Sequence, residues 1–439
     1  MKTISNIIYG AAVAVLLAFF ALLPRVQAVN PPPDGGYPNG TTAEGDSALF
    51  SLTSGAGNTA LGAGALYTNT DGTQNTATGF QSLNTNNGNF NTANGYRALT
   101  SNSTGRSNTA IGNQTLYSNT TGVANTASGA FALQNNNASN NTAVGYAALL
   151  SNTTGTENTA TGSNALRNNT TINGQSGGEN TATGASALFS NTTGTNNTAT
   201  GASALFNNTY GGENTATGTN ALFSNTGGAF NTAMGAEALK NNTAGANTAV
   251  GYRALYSNSV GNDNTAVGND ALAVNTTGDT NTSVGSSALF ANTTGSDNTA
   301  TGVLALEDNT IGSFNTADGV GALIMNTSGG SNAAVGGNAL QKNTVGYNNT
   351  AMGVNGLLNT TGSNNVGLGI NAGKNLTTGN GNVCVGANVL GVAGENNTTR
   401  IKNVYSSVAS GRAVYVNSDN KIGTLSSSRR YKEEIKPMD

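Results

Sequence analysis

Cys384 is the one soft nucleophile in a chain of 439 residues that contains no histidine. It stands where neighbouring lines of the sequence carry a small Ala, so it reads as a buried free thiol. A single cysteine also leaves no internal disulfide framework. Charged residues make up 8% of the chain, against about 25% in ordinary soluble proteins, and carboxylates are nowhere clustered. General bases, nucleophiles and metal ligands are therefore scarce, and neither conventional catalysis nor a cofactor is expected from the body of the chain. Hydroxyls and amides remain. Thr-Ala-Thr recurs at 76–78, 159–161, 181–183, 198–200, 215–217 and 299–301, and stacked Thr pairs on a flat face suit an ordered lattice such as ice. Asn-x-Thr sequons, Asn169-Thr170-Thr171 among them, follow from the abundance of Asn and Thr and carry no glycosylation signal. The formal charge is −3, so no basic surface points to nucleic acid.

Those hydroxyls are positioned by a repeat. NTATGASALFSNTTGTN begins at Asn180, and NTATGASALFNNTYGGE follows it directly. Twenty such lines start at Asn58 and run to Asn382, every spacing being 16 or 17 residues except the 22 from Asn158 to Asn180. Gly stands four residues after each initial Asn, from Gly62 to Gly386. An unbroken Gly column means a positive φ or a contact too close for a side chain. Leu stands eight after nearly every Asn, as at Leu66, Leu83, Leu99, Leu188 and Leu340, and Asn-Thr-Thr-Gly or a variant marks a further turn. Two short extended segments between turns, repeated at fixed period, predict an all-β parallel β-solenoid of about twenty 16–17-residue coils. Leu ladders would fill its thin core and Asn ladders would hydrogen-bond along the stack. A repeated Lys or Glu would build a column of like charges about 4.8 Å apart, which accounts for the missing charge. Twenty coils at that rise predict a rod of roughly 95 Å. The surplus in NNTTINGQSGGE is expected to bulge from one corner. Helical readings fail, because Gly, Asn and Thr are poor helix formers.

One column bears on assembly. The residue before the column Gly is Leu61, Thr78, Asn94, Ile111, Ser128 and Val144 in the early coils, and Met234, Val267, Asp318 and Val335 later. A dry core rejects Asn94 and Asp318, whereas a fully solvated face does not so often choose Val, Ile or Met. Such half-apolar composition suits a subunit seam. A semi-exposed strand face chosen for β-propensity is the alternative.

The chain begins with a targeting segment. Lys2, the apolar run Ile7 to Leu23, and the small residues of Val26-Gln27-Ala28 read as a signal peptide over 1–28 with cleavage after Ala28. Removal would leave no stable membrane span. An uncleaved anchor is the other reading of the same run. Residues 29–45 form a Pro/Gly-rich lead-in, and the solenoid is expected over 46–398. Its degenerate first coil, GDSALFSLTSGAGN, is a candidate cap. At the other end, AVYV-NSDN-KIGTL within 399–425 reads as a hairpin that closes the stack against edge pairing.

NTAVGYAAL at 141–149 and NTAVGNDAL at 264–272 resemble the head repeats of YadA-type trimeric autotransporter adhesins. The resemblance covers about 58–398 and implies parallel β-rolls with three chains side by side, although coils in that family are shorter. Residues 401–439 resemble the junction into the tail-fibre intramolecular chaperone, or peptidase S74, domain. That family implies a homotrimer, assembled by a C-terminal chaperone that then cuts itself off with a Ser/Lys dyad. Ser427 and Lys432 in SSRRYK match the dyad's spacing, with Lys432 as the base that activates the Ser427 hydroxyl. Ser428 stands where the family has Asp, and a plain polar linker is the other reading of this stretch. Residues 426–439 then read as the start of a chaperone cut short at Asp439. Together the resemblances imply a secreted or cell-surface structural or adhesive fibre, with a surface ligand or a host or matrix glycan as its class of partner. Autoproteolysis in a longer chain would be its sole enzymatic act. An ice- or lattice-binding solenoid is the competing reading.

Overall fold

One short strand and a series of enforced turns build each coil. The computed structural model describes residues 38–404, 414–416, 419 and 421–424. The expected signal segment over 1–28 and the Ser427/Lys432 pair lie outside the described residues. The chain is an all-β parallel β-solenoid, divided into two compact units at Asn298 and Thr299. In the first unit the strands run from Thr42–Glu44 to Thr282–Val284, one to a coil. They pair in parallel and in register, Thr198 on Thr215, Ala199 on Ala216 and Thr200 on Thr217. In the second unit the strands Thr299–Thr301 to Thr399–Ile401 repeat the arrangement, with Thr299 on Thr316 and Ala300 on Ala317.

The coil has one strand where two extended segments were expected. After the strand the chain turns almost continuously through left-handed residues: Gly201 (φ 137), Ser203 (φ 55), Leu205 (φ 52) and Glu213 (φ 57) within one coil. Gly201 is obligatory on two grounds. Its φ suits only glycine, and a Cβ there would stand 2.6 Å from the carbonyl oxygen of Gly218 in the next coil. A non-glycine residue such as Leu205 accepts a left-handed backbone because coil-to-coil hydrogen bonds continue through the turns. Gly201 N donates to Thr183 O at 2.8 Å, Ser203 N to Ala185 O at 2.9 Å and Leu205 N to Ala221 O at 2.9 Å. These bonds over-determine a conformation that would cost about 1–3 kcal/mol alone.

The bore of the coil is half apolar and half amide. Ala199, Ala204 and Leu205 are fully buried, and so are Asn197 and Asn208. The Leu ladder fills the core as expected, but the Asn of the Asn-Thr-Thr-Gly turns also points inward. Asn208 Nδ2 donates to Asn191 Oδ1 of the preceding coil at 2.8 Å and to Gly211 O at 2.9 Å. Asn197 Nδ2 reaches the same carbonyl at 2.8 Å, while Asn197 N donates to Asn180 Oδ1 at 3.0 Å. A Cβ on Gly211 would lie 2.6 Å from Asn208 Oδ1, so this second glycine makes room for an amide. Burying unpaired amides would cost about 1–3 kcal/mol apiece; paired along the stack, they tie each coil to the next.

The same amide explains the variable coil length. In a 17-residue coil it reaches the carbonyl three residues on, as Asn208 does to Gly211; where a residue is missing, Asn86 Nδ2 reaches Gly88 O at 2.9 Å. In the long coil, Asn169 Nδ2 reaches Gly177 O at 2.7 Å, eight residues on. The surplus emerges between them as a small hairpin, Thr171–Ile172 paired antiparallel with Gln175–Ser176 around Asn173-Gly174. Asn-Gly with φ of 53 and 79 is the turn that such a two-residue loop demands. The inner Asn column starts after Leu52 in the first coil and gives way to buried Thr360 and then Leu376 in late coils. The first coil otherwise follows the pattern, with Ala48 and Leu49 buried and Leu49 N donating to Ala65 O at 3.0 Å. Val414–Val416 and Ile422–Thr424 pair antiparallel as the expected hairpin.

Leu188 is fully buried in the Leu column. Leu188→Ala should cost about 2–5 kcal/mol, and Leu188→Asp should destroy the cooperative melt by burying an unpaired charge. Thermal denaturation followed by circular dichroism measures both, and an unchanged melting temperature in Leu188→Asp would place the column in solvent. Gly201→Ala should lower the melting temperature although it adds one methyl group to the chain.

Candidate interaction surfaces

The outward columns are the part of the described solenoid open to solvent. Each strand shows its two outer residues and buries the Ala between them, as in Thr198–Thr200. The column before the Gly is exposed throughout the first unit's strands from Thr232–Met234 on, apart from half-buried Val250. Asn94 and Asp318 sit in it at exposed positions, and so do Ile111 and Met234, which explains why it tolerates both kinds of residue.

A second exposed column, one residue past the Gly, was not singled out from the sequence. It holds Phe80, Tyr96, Tyr146 and Tyr252 in the first unit and Val303, Val320, Val354 and Ile370 in the second. Val320 is 60% exposed and Ile370 54%. With Met352 and Val335 across the glycines, these side chains make an apolar flank on the second unit, broken at Gly337 and at exposed Asp318. The 17-residue recurrence of bulky residues at that position was the available signal.

Four consecutive coils differ. At 159–161, 181–183, 198–200 and 215–217 the strand is Thr-Ala-Thr, each with an exposed–buried–exposed pattern. Thr159, Thr181, Thr198 and Thr215 stack in register, as do Thr161, Thr183, Thr200 and Thr217. Past the Gly these coils carry only Ser163, Ala185, Ala202 and Thr219, so no bulky side chain follows the hydroxyl array, while exposed Glu157, Glu179, Asn196 and Glu213 precede it. Elsewhere on the same coils Phe189, Phe206 and Phe223 form a ring stack with centroids 5.0 and 5.2 Å apart. The Arg167 guanidinium lies over Phe189 at 5.8 Å, a cation–π contact.

Chemically reactive groups are few among the described residues. Cys384 is buried, and burial pushes its thiol above the ordinary value, which leaves it protonated and unreactive. No group of three or more metal-ligating side chains occurs among the described residues. The sequon residues Asn119, Asn152, Asn169 and Asn191 are buried with their amides engaged in the stack, and so are closed to a glycosylating enzyme. No described helix is long and apolar enough to cross a membrane.

One ion pair stands out, between Glu395 and Arg400 in the last coil. Arg400 Nε donates to Glu395 Oε1 at 3.2 Å, and Nη2 donates to Oε2. This bond holds the Glu395 carboxyl below the usual carboxylate range, opposed by partial burial. Searches against protein-family models and against curated proteins find no match.

Because the Glu395 carboxyl is held low in the folded state, the stability it contributes is present above the ordinary carboxylate range. That stability is lost as pH falls through the folded value. Amides of Thr399–Ile401 should therefore lose hydrogen-exchange protection on acidification, relative to mid-solenoid strands, and Glu395→Gln should remove that pH dependence. Equal pH response in both proteins would show that the pair does not hold the last coil. Cys384 should resist thiol reagents in native protein and react fully in denaturant.

Proposed function

We propose that this chain is an extracellular or cell-surface structural and adhesive fibre protein whose solenoids pack side by side as a homotrimer. The observation that carries the reading is the exposed apolar flank on either side of the glycine column. Val303, Val320, Met352, Val354 and Ile370 are too exposed for a core, and exposed apolar surface, here broken at Asp318 and Gly337, marks an interaction site. A rigid, weakly charged scaffold with no reactive centre among its described residues fits a load-bearing or adhesive role better than catalysis. The resemblance to YadA-type heads supports three-fold packing, and the signal segment supports export. The junction at 401–439 supports maturation by a self-cleaving chaperone in a longer chain, with Ser427 as nucleophile and Lys432 as its base.

Light scattering should give three times the chain mass at micromolar concentration, and Val354→Asp with Ile370→Asp should reduce it to one. A clean monomer in the unsubstituted protein after maturation would overturn the trimer. In a chain extended through the whole chaperone, mass spectrometry should find a mature terminus near Leu425-Ser426. Ser427→Ala or Lys432→Ala should leave an uncut but assembled product, and an uncut parent protein would rule out self-cleavage.

A second reading is favoured by the flat Thr array of coils 159–217. Two in-register hydroxyl rows with only small residues past the Gly suit an ordered lattice such as ice. This array and the apolar flank occupy different coils, so the readings are separable. Thermal hysteresis that vanishes in Thr183→Tyr with Thr200→Tyr is the expected result, and none in the parent protein would sink this reading.

A further inference from the structure

An asparagine followed by glycine is the side-chain amide most open to attack by its own backbone. The glycine nitrogen can close a five-membered ring on the asparagine Cγ, and glycine has no side chain to screen that nitrogen. The chain holds six such pairs, beginning at Asn39, Asn87, Asn94, Asn173, Asn355 and Asn380. Asn39-Gly40 precedes the first coil. Four of the others are built into the stack, and Asn173-Gly174 is not.

In the four stacked pairs the reacting atoms are already engaged. Gly95 N donates to Thr78 O at 2.9 Å, Gly356 N to Gly353 O at 3.0 Å and Gly381 N to Ser363 O at 3.1 Å. Asn380 Oδ1 also accepts from Ser363 N at 2.7 Å. Asn87 Oδ1 accepts from Thr70 N at 2.8 Å and from the Thr70 hydroxyl at 3.0 Å, beside a buried Gly88. Asn173-Gly174 differs on each count. Both residues are exposed, a Cβ on Gly174 would meet nothing within 4 Å, and neither the Asn173 amide nor Gly174 N is bonded to another described residue. The pair is the tip of the hairpin, whose two strands have two residues each. A two-stranded ribbon of that size is marginal by itself, so opening its tip to the attacking geometry costs little compared with opening a coil. Its base is fixed. Asn169 Nδ2 holds Gly177 O at 2.7 Å, and the Thr171 hydroxyl is bonded to those of Thr153 and Thr154.

We propose that Asn173 is a self-modification site, a spontaneous deamidation centre with water as its co-reactant. It places a carboxylate on the arm that leaves the solenoid between the paired strands Thr159–Thr161 and Thr181–Thr183. Gly174 N gives its proton to solvent base and attacks Asn173 Cγ. The new N–Cγ bond closes an imide, and the Cγ–Nδ2 bond breaks as ammonia leaves. Water then adds to either imide carbonyl, so one water enters and one ammonia departs in all. Opening at Cγ leaves aspartate. Opening at the main-chain carbonyl leaves isoaspartate, whose backbone runs through Cβ and Cγ. That extra backbone carbon does not fit a two-residue loop of this type, so the arm opens while its clamped base keeps the coils in register.

The test incubates the full native chain in mildly alkaline buffer and follows each Asn-Gly peptide by mass spectrometry, with aspartate and isoaspartate separated by chromatography. Asn173 should convert to both acids at least about tenfold faster than Asn87, Asn94, Asn355 and Asn380, the ratio that one hydrogen bond worth about 1.4 kcal/mol confers. Raising the pH should speed the conversion, because the attacking nitrogen must lose its proton. Asn173→Gln should keep its amide, because the ring it would need is one atom larger. In denaturant the four stacked pairs should catch up with Asn173, which assigns their protection to the stack and not to neighbouring sequence. The converted protein should keep the parent circular dichroism spectrum and melting temperature. Equal native rates at all five pairs, an Asn173 amide that persists, or four pairs that stay protected in denaturant would each overturn the proposal. A lowered melting temperature on conversion would overturn the independence of the arm from the coils.

Discussion

Every residue in a stacked coil has its counterpart about 4.8 Å away in the next, and the rest of the structure follows from what tolerates that distance to its own kind. Glycine does, because its backbone approaches the glycine above more closely than any Cβ allows. Leucine and alanine do, by dispersion. Asparagine does best of all, since each amide is both donor and acceptor and its neighbour supplies the complement. Lysine and glutamate do not, and this is why a 439-residue chain has so few of them. Where carboxylates do sit in adjacent coils, as Glu157 and Glu179 do, they are exposed and water screens them.

The interior therefore departs from the usual apolar core. Buried Asn columns are high-stakes groups: left unpaired they would destabilise every coil, and paired they fix register along the stack. An amide column also imposes a boundary condition, since the last member at each end lacks a partner. At the start Leu52 meets it with a group that asks for none; at the late end Asn343 is followed by Thr360, whose buried hydroxyl has no hydrogen-bond partner, and only then by Leu376. The Asn side chain further absorbs length variation, because its carbonyl target can lie two, three or eight residues ahead without moving the stack.

On the outside the constraint relaxes, and there the coils diverge. Aromatic, aliphatic, hydroxyl and acidic residues alternate along columns whose backbone is the same in every turn. The flank rich in Val, Met and Ile and the Thr array use one scaffold for two surfaces of opposite character, one apolar and the other hydroxyl-lined. Fixed spacing makes either surface multivalent, since each coil adds one more copy of a weak contact.

Period, parallel stacking and the Leu and Gly columns could all be read from the sequence, because a repeat states its own contacts: Leu188 must lie on Leu205 if coil lies on coil. The corner insertion was legible for the same reason. The number of strands in a coil was not, since Leu205 looks extended in sequence and is left-handed in structure. That choice belongs to the coil-to-coil hydrogen bonds, which no local preference encodes. Nor did the sequence place Asn208 inside; Asn-Thr-Thr-Gly reads as a surface turn until the stack supplies a partner for its amide. The column past the glycine, the Phe189–Phe206–Phe223 stack and the Glu395–Arg400 pair became visible only when residues 17 apart, or on opposite sides of one coil, were brought within reach. Sequence determined what repeats, because stacking makes like meet like. Tertiary structure decided which repeated groups face inward, because that depends on where the backbone turns.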